Sequence, residues 1–196
     1  MQELKERIVK EGKVLPGNII KVDGFLNHRI DTELMDHIAE EFGKHFNMDE
    51  VTMILTAEAS GIALSAIVAQ HFHKPMIFAK KAKSDNIEGG LYQSDIFSYT
   101  YKKKVTLLVS KEWLRSDDKV LVIDDFMANG EAMRGLCDIV STAGATLVGI
   151  GCAVEKGFQG GGDRLRAAGV NLKSLAIIES AEPGNICLLY TSPSPR

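Results

Sequence analysis

Residues 120–132 constrain the fold most, because they describe a buried strand that runs directly into a loop and a helix. Four apolar residues precede Asp124 and Asp125, and apolar residues recur at helical spacing after Glu131. In an open α/β sheet, ligands bind outside the carboxyl ends of the strands, where a following helix offers free N–H groups to an anion. The pattern favours a ligand with phosphate at one end and hydroxyls or a metal in the middle, such as a phosphorylated sugar. The alternative is an ordinary strand–helix unit with a solvated acidic pair.

Length and composition restrict the class of protein. The chain has 196 residues, of which 45% are hydrophobic, and a net charge of −3. These values fit one globular domain with a full core and give no basic field for nucleic acid. The cysteines lack the spacing of a zinc site and fit free thiols in a reducing cytoplasm. No segment reaches the roughly 18 apolar residues of a membrane helix, and residues 1–13 do not resemble a signal peptide.

Helices and strands are predicted to alternate along most of the chain. Before residue 52, the pattern indicates an N-terminal helix that ends at Gly12, a turn with a short strand, and a helix from the capping residue Asp31 to about Phe46. A strand, a helix and a second strand follow at 52–56, 62–71 and 75–79, which predicts a parallel pair.

The second half of the chain contains two segments rich in lysine or glycine. Residues 80–109 are predicted to form a hairpin with a long exposed loop, which in compact domains is usually a lid or binding loop. Its lysines at 102–104 are interpreted as a solvated edge strand. After strand 147–154 and a glycine-rich turn, Asp163 is predicted to cap a helix at 164–168, and 172–179 to form a last strand.

The chain changes character at its end. Residues 187–196 contain two prolines, which forbid a continuous strand or helix. We expect a single domain at 1–186, followed by a foreign tail, such as a translated cloning or assembly remnant, without a functional role.

Candidate ligand groups follow four predicted strands, at residues 58–61, 80–81, 124–132 and 155–156. A doubly wound sheet brings such strand ends to one edge. The turn at Asn129 and Gly130 is predicted to wrap a monophosphate, and the turn before Gly61 offers a second anion site. Nearby lysines beside an acidic pair indicate a substrate whose diphosphate already chelates Mg²⁺. Since no nucleophile has a matched base, an enzyme of this kind works by positioning and electrostatics.

The acidic-pair motif resembles the phosphoribosyl-diphosphate signature of type I phosphoribosyltransferases. That family usually has threonine before the glycine. The variant Ala128, Asn129, Gly130 is similar to the subfamily that acts on xanthine, and so are residues 21–28, 58–63, 78–81 and 149–156. The resemblance covers residues 1–186. It implies an α/β fold with a central, mostly parallel sheet flanked by helices, a small N-terminal hood and a flexible loop.

The resemblance also implies a role for individual residues. Asp124 and Asp125 would be catalytic and meet the ribose hydroxyls, and Phe126 would stack on the base. Xanthine would contact Ile20, Asn27 and Lys156. Phosphoribosyl diphosphate would bind at Ala128, Asn129, Gly130, Glu131 and Ala132. Its diphosphate would meet Ala59, Ser60 and Lys81, with Mg²⁺ carried by this substrate and no metal site in the protein.

The implied activity is purine salvage: xanthine and phosphoribosyl diphosphate give xanthosine 5′-monophosphate and diphosphate, in a cytoplasmic homodimer without nucleic-acid or membrane partners. The alternatives are another purine specificity, for hypoxanthine and guanine or for adenine, and a regulator that senses phosphoribosyl diphosphate. A regulator needs a DNA-binding element, and the sequence shows no added domain or basic surface for one. Lys80 stands where the family pattern has arginine, and the family's C-terminal segment is replaced after Ile186.

Overall fold

The structure is a computed structural model that describes residues 1–81, 90–98, 103–182 and 185–189. Its helices are α1 (Gln2–Glu11), α2 (Thr32–Gly43), α3 (Gly61–His71), α4 (Glu131–Thr142) and α5 (Gly161–Ala167). Its strands are β1 (Lys13–Leu15), β2 (Ile19–Lys21), β3 (Met53–Ala57), β4 (Met76–Ala79), β5 (Leu91–Ser98), β6 (Lys103–Ser110), β7 (Lys119–Met127), β8 (Thr146–Lys156), β9 (Leu172–Glu182) and β10 (Asn185–Leu188). None of the helices in these ranges has the length and apolar character needed to cross a membrane.

A six-stranded sheet in the order β10-β9-β8-β7-β3-β4 forms the centre of the molecule. Its neighbouring strands are parallel except for β10, which runs antiparallel to β9. The predicted mostly parallel α/β sheet is therefore confirmed. Because β3, β7 and β8 share one direction, the residues that follow them meet at a single edge, as the sequence pattern requires.

Helices cover both faces of this sheet. Apolar residues of α1, α2 and α3 pack on one face with the hairpin β1–β2, and those of α4 pack on the other with the hairpin β5–β6. β7 is buried almost throughout and alternates between the two cores, with Leu121 and Ile123 in the first and Val120 and Val122 in the second. A strand that is covered on both faces has a continuous run of apolar residues, and this pattern predicts β7 from the sequence.

Two predicted helix boundaries need correction. Asp31 caps α2 as expected and accepts a hydrogen bond from Leu34 N at 3.2 Å, but the helix ends at Gly43 rather than near Phe46. Asp163 was predicted to cap a helix at 164–168, and this is wrong. The helix α5 begins earlier, at Gly161, after a 3₁₀ turn over Gly157–Gln159, and Asp163 lies in its first turn.

The hairpin predicted between residues 80 and 109 is present as β5 and β6, which pair antiparallel along their whole length. Lys103 and Lys104 lie in β6 and are exposed, in agreement with an edge strand. Lys102 and the predicted loop residues 82–89 lie outside the described residues.

The end of the chain differs from the expectation. The predicted boundary at 186 falls inside β10, so Cys187 and Leu188 are part of the central sheet. Leu188 is only 4% exposed, and the next residue, Leu189, donates its N–H to Ile177 O and accepts from Lys5 Nζ. A terminal strand is therefore present, and Leu188 lies in the same apolar core as Leu4 and Ile8 of α1. Residues 190–196 lie outside the described residues.

Candidate active site

A cavity of about 480 Å³ opens at the carboxyl ends of β3, β7 and β8. The structure brings most of the predicted site residues to its wall, from five separate parts of the chain. These residues are Ile20, Asn27, Ser60, Lys81, Asp124, Ala128, Asn129, Gly130, Glu131, Ala132 and Lys156. Two predicted residues do not line it: Ala59 lies exposed beside Ser60 in the same turn, and Asp125 lies beneath the wall.

Residues 128–132, called the phosphate loop below, connect β7 to α4 along one wall of the cavity. Gly130 precedes the helix with φ of +76°, a conformation that L side chains rarely adopt. A Cβ at this position would lie 3.3 Å from Gly161 Cα. The loop therefore requires glycine for two reasons, its backbone conformation and its close contact with α5. It places the first turn of α4, where N–H groups are free, at the cavity.

Asp124 and Asp125 are both buried at the end of β7, with 6% and 1% of their surface exposed. Asp125 accepts from Ser60 Oγ at 2.8 Å and from Asn27 Nδ2 at 3.0 Å, and its own N–H donates to Asp124 Oδ1 at 3.0 Å. Burial, with the neighbouring Asp125 charge as a second cause, raises the pKa of the Asp124 carboxyl well above its usual range. The two adjacent carboxylates thus differ in surroundings, since Asp125 accepts from two side chains while Asp124 accepts the N–H of Asp125.

The turn before α3 forms the opposite wall. A Cβ at Gly61 would overlap Thr56 Oγ1 and Asp124 Oδ1, so only glycine lets the start of α3 approach the acidic pair. The buried Thr56 hydroxyl has no hydrogen-bond partner among the described residues. Glu58 lines the cavity and accepts from Lys81 N at 2.5 Å, which fixes the backbone of Lys81 at the rim. Neither Thr56 nor the Glu58–Lys81 contact is predictable from the sequence, because only the sheet topology brings these groups to the site.

Lys156 and Phe126 form the part of the cavity that faces the β1–β2 hairpin and the turn Asp23–Asn27, which together are called the hood below. Lys156 Nζ lies 5.4 Å from the centre of the Phe126 ring and donates to Asn18 O at 3.1 Å. Burial lowers the pKa of Lys156. Asn18 adopts a positive φ of 58° in the β1–β2 turn, and its carbonyl contact was not predicted. Ile20 follows on β2, and Asn27 ends a π-helical turn that spans Asp23–Asn27.

Glu155, grouped with Lys156 as a candidate ligand group in the sequence, does not reach this cavity. It is 1% exposed and binds Arg166 through both oxygens, at 3.1 and 2.6 Å. Ser174 Oγ donates to the same carboxylate. Successive residues of a strand point to opposite faces, so Lys156 faces the hood and Glu155 faces α5. The sequence at the end of β8 does not show which of Glu155 and Lys156 faces the cavity.

The arrangement provides three chemical functions in one cavity: an anion site at a helix start, buried carboxylates beside it, and a cation with an aromatic ring across from them. No group of three or more potential metal ligands is found in the described ranges 1–81, 90–98, 103–182 and 185–189.

Residues 25–167 match the phosphoribosyl transferase domain family. The fold agrees with solved structures of that class. An APRTase from Giardia lamblia, complexed with 9-deazaadenine, superposes with a TM-score of 0.77 at 22% identity over 91% of this chain and 98% of that one. An adenine phosphoribosyltransferase from Rhodothermus marinus gives a TM-score of 0.73 at 20% identity, covering 91% and 100%. The chain belongs to the phosphoribosyltransferase family.

Within that family the chain is similar to proteins named xanthine phosphoribosyltransferase. One from Bifidobacterium adolescentis is 52% identical over 98% of this chain and 100% of the relative. Another from Lachnoclostridium phytofermentans is 52% identical over 95% and 97%. The resemblance found in the sequence is thereby confirmed, over almost the whole chain.

Proposed function

We propose that this protein transfers the phosphoribosyl group of phosphoribosyl diphosphate to xanthine, giving xanthosine 5′-monophosphate and diphosphate. The relatives named above support this activity. The observation that carries the proposal is that Lys156, packed over Phe126, shares one cavity with the phosphate loop and the acidic pair. A planar base with exocyclic oxygens suits an aromatic face and an ammonium donor, and the sugar phosphate suits the rest.

The reaction is a displacement at ribose carbon 1. Nitrogen 9 of xanthine forms the new bond as the bond from carbon 1 to the diphosphate oxygen breaks, and diphosphate leaves with the electron pair. The imidazole N–H proton of xanthine is released to water or to the departing diphosphate. Positive charge develops on the ribose ring in the transition state, and carboxylates beside the ring stabilise it. No described residue has to form a covalent bond with the substrate, so the protein positions both reactants and supplies charge.

The phosphate loop would bind the 5-phosphate through the N–H groups of the first turn of α4. Asp124 and Asp125 would lie beside the ribose hydroxyls and the developing charge. Their burial in a region of low dielectric makes this electrostatic effect larger than it would be in water. Glu131 is already bonded to Arg134 at 3.3 Å, so its side chain supports the loop while its N–H remains available to phosphate.

The diphosphate would meet Ser60 and the N–H of Ala59 at the start of α3, and Lys81 after β4. Mg²⁺ enters as part of the substrate, chelated by the diphosphate. The base would lie on Phe126 and against Ile20, with Asn27 and Lys156 at its polar edge. As the family resemblance implies, we propose a cytoplasmic homodimer, with the segment between residues 80 and 109 closing over the bound substrates.

A spectrophotometric assay of xanthine, hypoxanthine, guanine and adenine with phosphoribosyl diphosphate and Mg²⁺ tests this function. We expect xanthine to give the highest kcat/KM and adenine to be rejected strongly, because its amino group would face a lysine donor and leave polar groups unpaired. Adenine turnover equal to that of xanthine, or no turnover of any purine with intact phosphoribosyl diphosphate binding, would contradict the proposal. The second result would favour a sensing protein.

A further inference from the structure

The short helix α5 lies directly beneath the phosphate loop, although none of its residues lines the cavity. Gly161, its first residue, packs against the loop so closely that a Cβ there would lie 2.6 Å from Asn129 C and 2.7 Å from Gly130 N. Arg164, one turn further along, donates from its guanidinium to Asn129 O at 2.9 Å. The helix therefore contacts the Asn129–Gly130 peptide group through two of its residues.

The hydrogen bond from Arg164 fixes the orientation of one particular peptide group. The peptide between Asn129 and Gly130 is trans, and in a trans peptide the C=O and the N–H point in opposite directions. Since the carbonyl of Asn129 points to the Arg164 guanidinium, the N–H of Gly130 points away from it, and Gly130 itself lines the cavity. A rotation of this peptide would instead present a carbonyl oxygen to a phosphate, which repels it.

The other side of α5 is anchored to the central sheet. Arg166 binds both oxygens of the buried Glu155, and a Cβ at Gly162 would overlap that carboxylate. A charge-assisted, bidentate contact of this kind restrains a helix that is too short to be rigid by itself. The anchor makes α5 a fixed support, against which Arg164 holds the loop.

We propose that Arg164 is a positioning residue for phosphoribosyl diphosphate, which acts by holding the Asn129–Gly130 peptide in its phosphate-binding orientation. It does so from outside the cavity and without touching the substrate. This inference rests on the proposed function, because it requires phosphoribosyl diphosphate to bind at the phosphate loop.

The test is the binding of phosphoribosyl diphosphate with Mg²⁺, measured by isothermal titration calorimetry. Arg164→Gln is too short to reach Asn129 O, and glutamine suits an exposed helical position, so the variant should fold. We expect its Kd to rise about tenfold, the size of one lost charge-assisted hydrogen bond. Arg164→Lys retains one donor near the carbonyl and should bind within about threefold of the wild type, on the same scale.

Arg115→Met is the matched control, since it removes an exposed arginine at the opposite edge of the sheet, and it should leave the Kd unchanged. The ratio of the Arg164→Gln Kd to the wild-type Kd should also be the same at low and high salt. If Arg164 instead contacted the substrate through its charge, salt would screen that contact, and the ratio of the two Kd values would shrink as salt is added.

Wild-type-like affinity in Arg164→Gln, an absence of rescue in Arg164→Lys, or a salt-dependent ratio would each overturn the positioning role. These results leave the proposed function standing, because the wild type still binds. A wild type that does not bind phosphoribosyl diphosphate would instead overturn the proposed function, and this inference with it.

Discussion

The two halves of the cavity are built in different ways. The phosphoribose half, which is proposed to bind phosphoribosyl diphosphate, consists of Asp124, the underlying Asp125 and the phosphate loop, which follow one another on a single strand, loop and helix. The base half, which is proposed to bind the purine, consists of Ile20, Asn27, Phe126 and Lys156, which come from a hairpin, a π-helical turn and the ends of two strands. One contiguous segment therefore carries the first half, whereas tertiary structure assembles the second.

The halves also differ in how their polar groups are satisfied before a substrate binds. In the base half, Lys156 donates to Asn18 O and the amide of Asn27 donates to Asp125. A base that bonds to Lys156 and Asn27 replaces these hydrogen bonds with new ones. Its net gain in binding free energy therefore depends on pairing well with both side chains. The second of these bonds joins the base half to the acidic pair, and a change at Asp125 is therefore expected to affect both halves.

Removal of both carboxylates is the largest expected effect and tests the phosphoribose half as a catalytic unit. The double variant Asp124→Asn with Asp125→Asn keeps the shape but removes the charge beside the ribose. We expect kcat to fall by at least about 10²-fold, the size of a lost transition-state electrostatic contact. The measurement is steady-state turnover at saturating substrates. The exposed pair Asp49→Asn with Glu50→Gln is the control, and near wild-type turnover of the first variant would contradict the catalytic assignment.

Comparison of Gly130→Val with a second glycine variant distinguishes a loss of phosphate binding at the phosphate loop from a general effect of backbone strain. Valine would combine an unfavourable positive φ with a collision against Gly161, so the affinity for phosphoribosyl diphosphate should fall about tenfold or more, a free-energy loss of about 1.4 kcal/mol. Gly169→Val is matched to it, because Gly169 has a φ of +83° and open space around its Cβ. Both variants should lose stability, but only the first should lose affinity in calorimetry. Equal affinities in the two folded variants would remove the loop from the site.

The smallest expected effect concerns the unequal carboxylates of the acidic pair, measured as stability of the free protein. Asp125→Asn should lower the free energy of unfolding by about 1 kcal/mol, because the carboxylate accepts from both Ser60 and Asn27. Asp124→Asn should raise it at neutral pH, since it removes a charge that burial disfavours. Thermal unfolding without substrates measures both changes.

The gain in Asp124→Asn should depend on pH in a defined direction. The raised pKa means that native Asp124 binds its proton more tightly than in the unfolded chain, so the wild type loses stability as pH rises through the interval between the two pKa values. The variant lacks this loss, and its advantage should therefore grow from about pH 4 toward neutrality. A constant advantage across this range would show that Asp124 does not titrate as the burial requires.

The sequence predicted the phosphoribose half from local pattern, because a buried strand, two carboxylates and a glycine before a helix are neighbours in the chain. The parallel sheet followed from the same logic. The base half was predicted only through the family resemblance, since nothing local distinguishes Lys156, which faces the hood, from Glu155, which binds Arg166. Alternation along β8 places these two side chains on opposite faces of the sheet. The packing of α5 and the hood then decides which of the two faces meets the cavity.

The errors have a common physical cause, which is that distant packing overrides a local signal. Asp163 is a good capping residue by type, but α5 starts earlier, where only glycine fits: Gly161 packs against the phosphate loop and Gly162 against Glu155. Likewise, the composition of the chain end suggested no strand, yet Leu188 packs into the core beside α1. The contact between Lys156 and the carbonyl of Asn18 was not predictable, because every residue has a backbone carbonyl and the sequence does not show which one is used.

The central claim is that Lys156 in the base half recognises xanthine and not phosphoribosyl diphosphate, and the variant Lys156→Met tests it most directly. Methionine keeps the length and apolar contact with Phe126 but removes the ammonium donor. Steady-state kinetics with each substrate varied in turn, and with the exposed Lys173→Met as a control, separates the two halves. We expect the KM for xanthine to rise about tenfold or more, the size of a lost hydrogen bond from a charged donor, with little change in the KM for phosphoribosyl diphosphate. An equal rise in both constants, or no change in either, would contradict the claim.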